Sequence, residues 1–186
     1  MPVQIGSSTH SFADPTGLLS DCHRRVEMFL GSLKAVSDMA GSELTDDSRR
    51  ALETSLRYFR EAAPKHTADE EESLFPRLRQ IDDTQLRAAL DTLHELEVDH
   101  RWAEPLHAQA DELGTRYLRE GRLPKSEAAT FRTVVRQLCD MYQRHIAIED
   151  EQVFPIAKRL LSTEVSSEIA KEMEARRGLK SLVDLK

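Results

Sequence analysis

Between residues 52 and 74 the chain places Leu52, Leu56, Phe59, Ala63, His66, Glu70 and Leu74 at steps of three or four. That spacing puts all seven side chains on one face of an α-helix. A face this apolar has to be buried, so a histidine and a glutamate occupy places where leucine is expected. The substitution recurs further on, where Phe131, Val135, Leu138 and Tyr142 lead into His145, Glu149 and Val153. A carboxylate buried without compensation costs several kcal/mol or shifts its pKa strongly. A chain that writes the pair twice must give these groups something to bind.

The rest of the sequence is patterned for helices. Leu, Ala, Glu and Arg dominate, aromatic residues make up 5%, and no stretch alternates as a strand would. Asp14 and Pro15 open a helix running to about Met39, and Thr45 or Asp46 opens a second reaching about Gln80. Thr84 begins a third, ending near Glu120, and Ser126 caps a fourth, running to about Leu160. A short fifth follows Thr163 and stops at Gly178. The predicted fold is therefore all-α: an antiparallel up-down-up-down four-helix bundle with a short C-terminal fifth helix. Residues 1–13 read as an N-terminal arm, 14–160 as the bundle and 161–186 as the C-terminal helix and tail, with one domain in all. Pro64, Pro105 and Pro155 should each bend or end a helix locally.

A formal charge of −7 argues against nucleic acid or an anionic membrane as partner. No apolar run approaches the roughly 18 residues that a membrane span needs, and nothing near the N-terminus reads as a signal peptide. A soluble, cytoplasmic protein is expected. Cys22 and Cys139 have neither metal-knuckle nor redox spacing and read as ordinary buried thiols.

The first and third predicted helices each carry one more histidine on their apolar stripe. His23 follows Leu19 and precedes Val26, Leu30 and Leu33, while His100 follows Leu86, Leu90, Leu93 and Glu97. Counted from the connecting loops, His23, His66, His100 and His145 lie at offsets that agree to within roughly one helical turn. In an antiparallel bundle they come out at nearly one level. Four imidazoles and two carboxylates in one layer make a metal site. Nitrogen and oxygen donors without thiolate suit iron or manganese better than structural zinc. If Glu70 and Glu149 bridge, the site holds two ions with roughly twelve coordination positions, of which about two stay open once an oxo or hydroxo bridge is included.

The motifs "HTADEEESLFP" (66–76) and "HIAIEDEQVFP" (145–155), in the order H, HxxxE, H, HxxxE, resemble the hemerythrin-like (HHE cation-binding) family. The resemblance covers about residues 14–160, and "EMEARRG" (172–178) is similar to a common tail of such proteins. It implies a four-helix bundle holding a non-haem di-iron centre that binds O₂ or related small molecules. By position it implies His23, His66, Glu70, His100, His145 and Glu149 as ligands. The sequence departs from the oxygen-carrying hemerythrins at position 104, which is Glu where their third helix supplies a further histidine. This departure favours peroxide, NO or redox chemistry over reversible O₂ carriage.

The expected function is thus a di-iron protein binding O₂, peroxide or NO, with catalase- or peroxidase-like turnover as its enzymatic variant. Iron handling or sensing, including iron donation for iron–sulfur repair, is the alternative. Other residues near the stripes have simpler readings. Glu27 and Glu104, Glu71 and Glu72, and Asp150 and Glu151 are expected at the solvated surface, although Glu71 is placed to hydrogen-bond a ligand histidine. Tyr58, Tyr142 and His107 are expected mainly in packing roles, and His94 and His10 away from the site.

Overall fold

The computed structural model describes residues 10–179, and of residues 84–90 the backbone alone. The chain is helical, with no strand among the described residues, and forms a helical bundle followed by a short C-terminal helix. Its elements are α1 (Pro15–Asp38), α2 (Asp46–Glu61), α3 (Ala63–Ala68), α4 (Phe75–Leu78), α5 (Thr84–Glu120), α6 (Lys125–Ile148), α7 (Phe154–Leu160) and α8 (Thr163–Arg176). Two π-helical stretches interrupt the series, Asp69–Leu74 between α3 and α4 and Glu149–Val153 between α6 and α7. Among the described residues no helix is long and apolar enough to cross a membrane.

The helix ends follow the sequence closely. Asp14 accepts the Gly17 N–H at 3.1 Å and the Thr45 hydroxyl accepts the Ser48 N–H at 3.2 Å. Both are N-caps satisfying a donor that the first turn leaves over. α8 closes with Gly178 at φ 67°. There the Gly178 and Leu179 N–H groups return to the Ala175 and Glu174 carbonyls, each at 3.0 Å, in the pattern that an αL glycine permits. α6 starts at Lys125, one residue before the expected Ser126, because the Pro124 carbonyl already accepts the Ala128 N–H at 2.9 Å. The expected arm lies largely on residues 1–9, outside those described.

The second and fourth predicted helices are not continuous. Pro64 marks the junction of α2 and α3, and the two π turns fall inside the repeated motif. Pro76 and Pro155 have no N–H to donate and their rings crowd the preceding carbonyls. The neighbouring bonds are correspondingly wide: the Phe75 N–H reaches Glu70 O and the Phe154 N–H reaches Glu149 O, five residues back rather than four. Pro105, by contrast, lies inside α5 without ending it.

By its contacts the chain divides into two compact units. The first gathers the chain up to Arg25, Pro64–Glu95 and everything from Ala147 onward. Its buried apolar residues include Leu18, Leu19, Leu74, Phe75, Leu78, Phe154 and Ile169. Lys158 Nζ meets Asp14 Oδ2 at 3.0 Å, so α7 runs back along α1 from its start.

The second unit comprises Val26–Ala63 and Leu96–Ile146. Its core holds Leu30, Leu33, Leu52, Leu56, Tyr117, Phe131, Val135 and Leu138, each apolar side chain contributing about 1.5–3 kcal/mol on burial. Contacts across it show the antiparallel order. Arg49 binds the Leu118 carbonyl at 2.7 Å and Arg60 binds Asp111 at 2.5 Å, so α2 and α5 run oppositely. Arg116 meets Glu127 at 2.6 Å while His107 meets Tyr142 at 3.0 Å, which sets α5 against α6. Arg136 with Asp38 and Cys139 with Leu30 set α6 against α1 in the same way. Tyr117 locks the loop end, its hydroxyl lying 3.1 Å from the Met39 carbonyl and 3.2 Å from that of Ser42. Neither cysteine is in a disulfide: Cys22 is buried in the first unit and Cys139 half-buried in the second.

Candidate metal centre

The first unit brings together His23 from α1, His66 from α3, and Glu70 and Glu149 from the two π turns. Their exposures are 1%, 6%, 0% and 0%. One donor atom from each of the four lies within 4.8 Å of all the others. His23 Nε2 is 3.1 Å from Glu149 Oε2 and 3.7 Å from Glu70 Oε1, and His66 Nε2 is 3.2 Å from Glu70 Oε1. The two rings meet edge to face at 4.9 Å. The repeated motif explains the placement: His66 and Glu70, four apart, share a face, and each π turn begins at or just before its glutamate.

The remaining nitrogen of His23 corrects one expectation. Asp150, expected at the solvated surface, accepts from His23 Nδ1 at 2.9 Å and from the Ser20 hydroxyl at 2.8 Å, and it also pairs with Arg24. A carboxylate on Nδ1 orients the ring and points Nε2 at the glutamates, the arrangement found behind metal-binding histidines. Burial works against a charged His23, but the bonds to Asp150, Glu149 and Glu70 outweigh it and raise its pKa well above 6.5. Burial likewise acts to raise the Asp150 pKa, and the His23 bond, Ser20 and Arg24 overcome it and lower the value. Phe154 stacks on the His23 ring at 5.2 Å and 14° and closes one side of the site.

The second unit holds the other two histidines. His100 and His145 are 7% and 1% exposed, with ring centroids 4.6 Å apart. Asp99 Oδ2 lies 3.4 Å from His145 Nδ1 and backs that ring as Asp150 backs His23. Tyr142 packs against His145 with ring centroids 6.1 Å apart, and its hydroxyl lies 3.0 Å from His107 Nε2. Burial lowers the His107 pKa to about 4, which keeps that ring neutral. Tyr58 stacks on Phe29 at 4.3 Å. The expectation that Tyr58, Tyr142 and His107 serve packing therefore agrees with the structure. Glu27, Glu104, His94 and His10 are exposed.

Three acids were not singled out from the stripes. Asp150 and Asp99 support histidines, and Asp69, wholly buried, pairs with Arg176 and Arg177. A signal for Asp150 existed in the repeat: it occupies the place of Glu71, where a bond to a histidine was anticipated.

A divalent cation suits the first unit's donors. Glu70 and Glu149 bring negative charge into a place without solvent, and a cation offsets it more effectively than one imidazolium. An ion with bonds of about 2.0–2.2 Å keeps its ligands within about 4.4 Å of one another. The four donors already lie within a few tenths of an ångström of that limit. Their chemistry, imidazole nitrogen and carboxylate oxygen without thiolate, is that of iron, manganese or a catalytic zinc.

Comparison with known proteins agrees with this chemistry. The chain is 30% identical over 168 residues to an uncharacterized protein of Haemophilus influenzae, covering 90% of this chain and 92% of that one. Residues 14–175 match the hemerythrin HHE cation binding domain, a span that includes the motif histidines and glutamates and nearly all of α8. The chain belongs to the hemerythrin HHE cation-binding domain family.

Proposed function

We propose that the protein is a non-haem di-iron protein that binds a small oxidant or diatomic ligand (O₂, peroxide or NO), with peroxide decomposition as its activity. The observation that carries this reading is the buried set of His23, His66, Glu70 and Glu149, whose donor atoms lie within 4.8 Å of one another. In this reading His23, His66, Glu70 and Glu149 would hold iron, and His100 and His145 would complete the ligand set that the family resemblance implies by position. Bound iron supplies the redox equivalents and the open coordination position.

The chain's own residues do the rest. Asp150 and Asp99 hold the Nδ1 protons of His23 and His145, so that Nε2 of each is available as a donor. Phe154, Leu74 and Phe75, all buried, keep bulk water from the first unit's donors. If about two coordination positions stay open, the ligand would be a small one such as O₂, peroxide or NO. The free thiols at Cys22 and Cys139 accord with a cytoplasmic setting.

The test is metal analysis of the purified protein together with its ultraviolet–visible spectrum before and after peroxide. Iron with a charge-transfer absorption that responds to peroxide, and oxygen release that disappears in His145→Ala, supports the reading. Iron without turnover would reject the enzymatic part. Rapid transfer of the iron to a chelator or an apo-protein would favour iron handling instead. Protein free of transition metal after expression in iron-replete medium, and unable to take it up, would sink both.

A further inference from the structure

The C-terminal helix is bound to the π turn that carries Glu70, and its tail motif "EMEARRG" supplies the contacts. Asp69, immediately before Glu70, has no solvent exposure. It lies between two guanidinium groups, Arg176 Nη1 at 2.9 Å and Arg177 Nη2 at 2.6 Å. Arg176 also binds Glu72 at 3.1 Å. Glu172 bonds to the Ser73 hydroxyl and pairs with Arg77 at 2.7 Å, while Arg77 returns to the Ser73 carbonyl at 3.0 Å. Three polar positions of the turn, Asp69, Glu72 and Ser73, are thus fastened to one short helix. The other π turn is held differently, its Asp150 being fastened to α1 through Ser20, His23 and Arg24.

A π turn is a rare departure from the α-helical hydrogen-bond ladder, and the contacts around this one help to hold its shape. Glu70 sits one peptide beyond Asp69, and a metal ligand must be held to within about 0.5 Å of its productive position. The contact lies at the C-terminal end of α8. Arg176 is the last residue of α8 and Arg177 its C-cap, and Gly178 turns the chain away immediately afterwards.

We infer that α8 is a clamp on the Glu70 turn and that Asp69, gripped by Arg176 and Arg177, is a positioning residue that sets how long the site retains its metal ion. The inference rests on the metal-binding reading above and adds an element that governs release. With α8 seated, Glu70 is held in place. With the two arginines withdrawn, Asp69 becomes an uncompensated buried charge, the turn rearranges, and the carboxylate moves away from His66.

The test uses the full-length protein loaded with Zn²⁺ or Fe²⁺, and measures the rate of metal loss to a competing chelator. Asp69→Asn keeps the side chain's shape and removes its charge. Arg176→Gln is the milder variant should Asp69→Asn fail to fold. Each is expected to speed release at least tenfold, with amide hydrogen exchange in the metal-free protein rising across residues 69–74. The control is a second-unit core variant such as Val135→Ala, chosen for an equal loss of thermal stability. It should leave release unchanged. The clamp is overturned if release from Asp69→Asn and Arg176→Gln equals that of wild type, or if the stability-matched control releases metal just as fast. Wild-type protein that takes up no metal would instead overturn the metal-binding reading itself, and the clamp with it.

Discussion

Asp150 Oδ1 lies 2.9 Å from His23 Nδ1, so the second copy of the motif supports the histidine of the first helix. Removing that carboxylate should weaken the metal site without removing a ligand. Asp150→Asn is expected to lower metal affinity about 10–100-fold. Competition with a chromogenic chelator at fixed pH measures the change, and an unaltered affinity would show that the His23 ring is oriented by something else.

Metal uptake should release protons. Metal-free His23 is held protonated well above the pKa of a free imidazole by Asp150, Glu149 and Glu70, against the effect of burial. Binding through Nε2 must expel that proton. Near pH 7, on the order of one proton per ion should appear in weakly buffered solution, and the release should shrink in Asp150→Asn. Calorimetric titrations in two buffers of different ionisation enthalpy would count it.

His107 should make the protein sensitive to acid. Burial lowers its pKa from 6.5 to about 4, so between these values the unfolded chain binds the proton and the folded chain does not. Its contribution is fully present above pH 6.5 and is lost as pH falls toward 4, amounting to on the order of 3 kcal/mol. The double variant His107→Leu/Tyr142→Phe removes both partners of the 3.0 Å contact. Its denaturation midpoint should fall less than that of wild type over this interval, as urea titrations at several pH values would reveal.

Restoring leucine to the stripe should exchange function for stability. His66 and Glu70 are 6% and 0% exposed, and buried charged pairs are often matched or bettered by apolar residues of similar volume, by about 1–4 kcal/mol. His66→Leu/Glu70→Leu is therefore expected to melt at or above the temperature of the metal-free wild type while losing metal binding. A large drop in melting temperature would mean that the pair stabilises the fold even without an ion.

Much of this arrangement was legible in the residue order. Helix period is a local property, and so are the caps at Asp14, Thr45 and Gly178. The four histidines and two glutamates were recognisable because they break an apolar stripe, and a stripe declares burial without any knowledge of its partner. What local pattern could not supply was the direction of a polar side chain at a stripe's edge. Asp150 and Glu151 look alike in sequence, yet Asp150 turns to His23 while Glu151 is exposed.

The π turns belong to the same class. Pro155 announced an interruption, but a bend, an end and a widened turn all relieve the same missing N–H, and the packing around the turn selects among them. Asp69 is the plainest case. Read alone it is one acid in a run of four, and its burial follows from Arg176 and Arg177, more than a hundred positions away. Sequence by itself determined which segments are helices and which histidines and glutamates lie on their buried faces, because both follow from periodicity along one rod. Only the tertiary structure decided which acids support those histidines, because a charged side chain is solvated or buried according to what another segment brings to meet it.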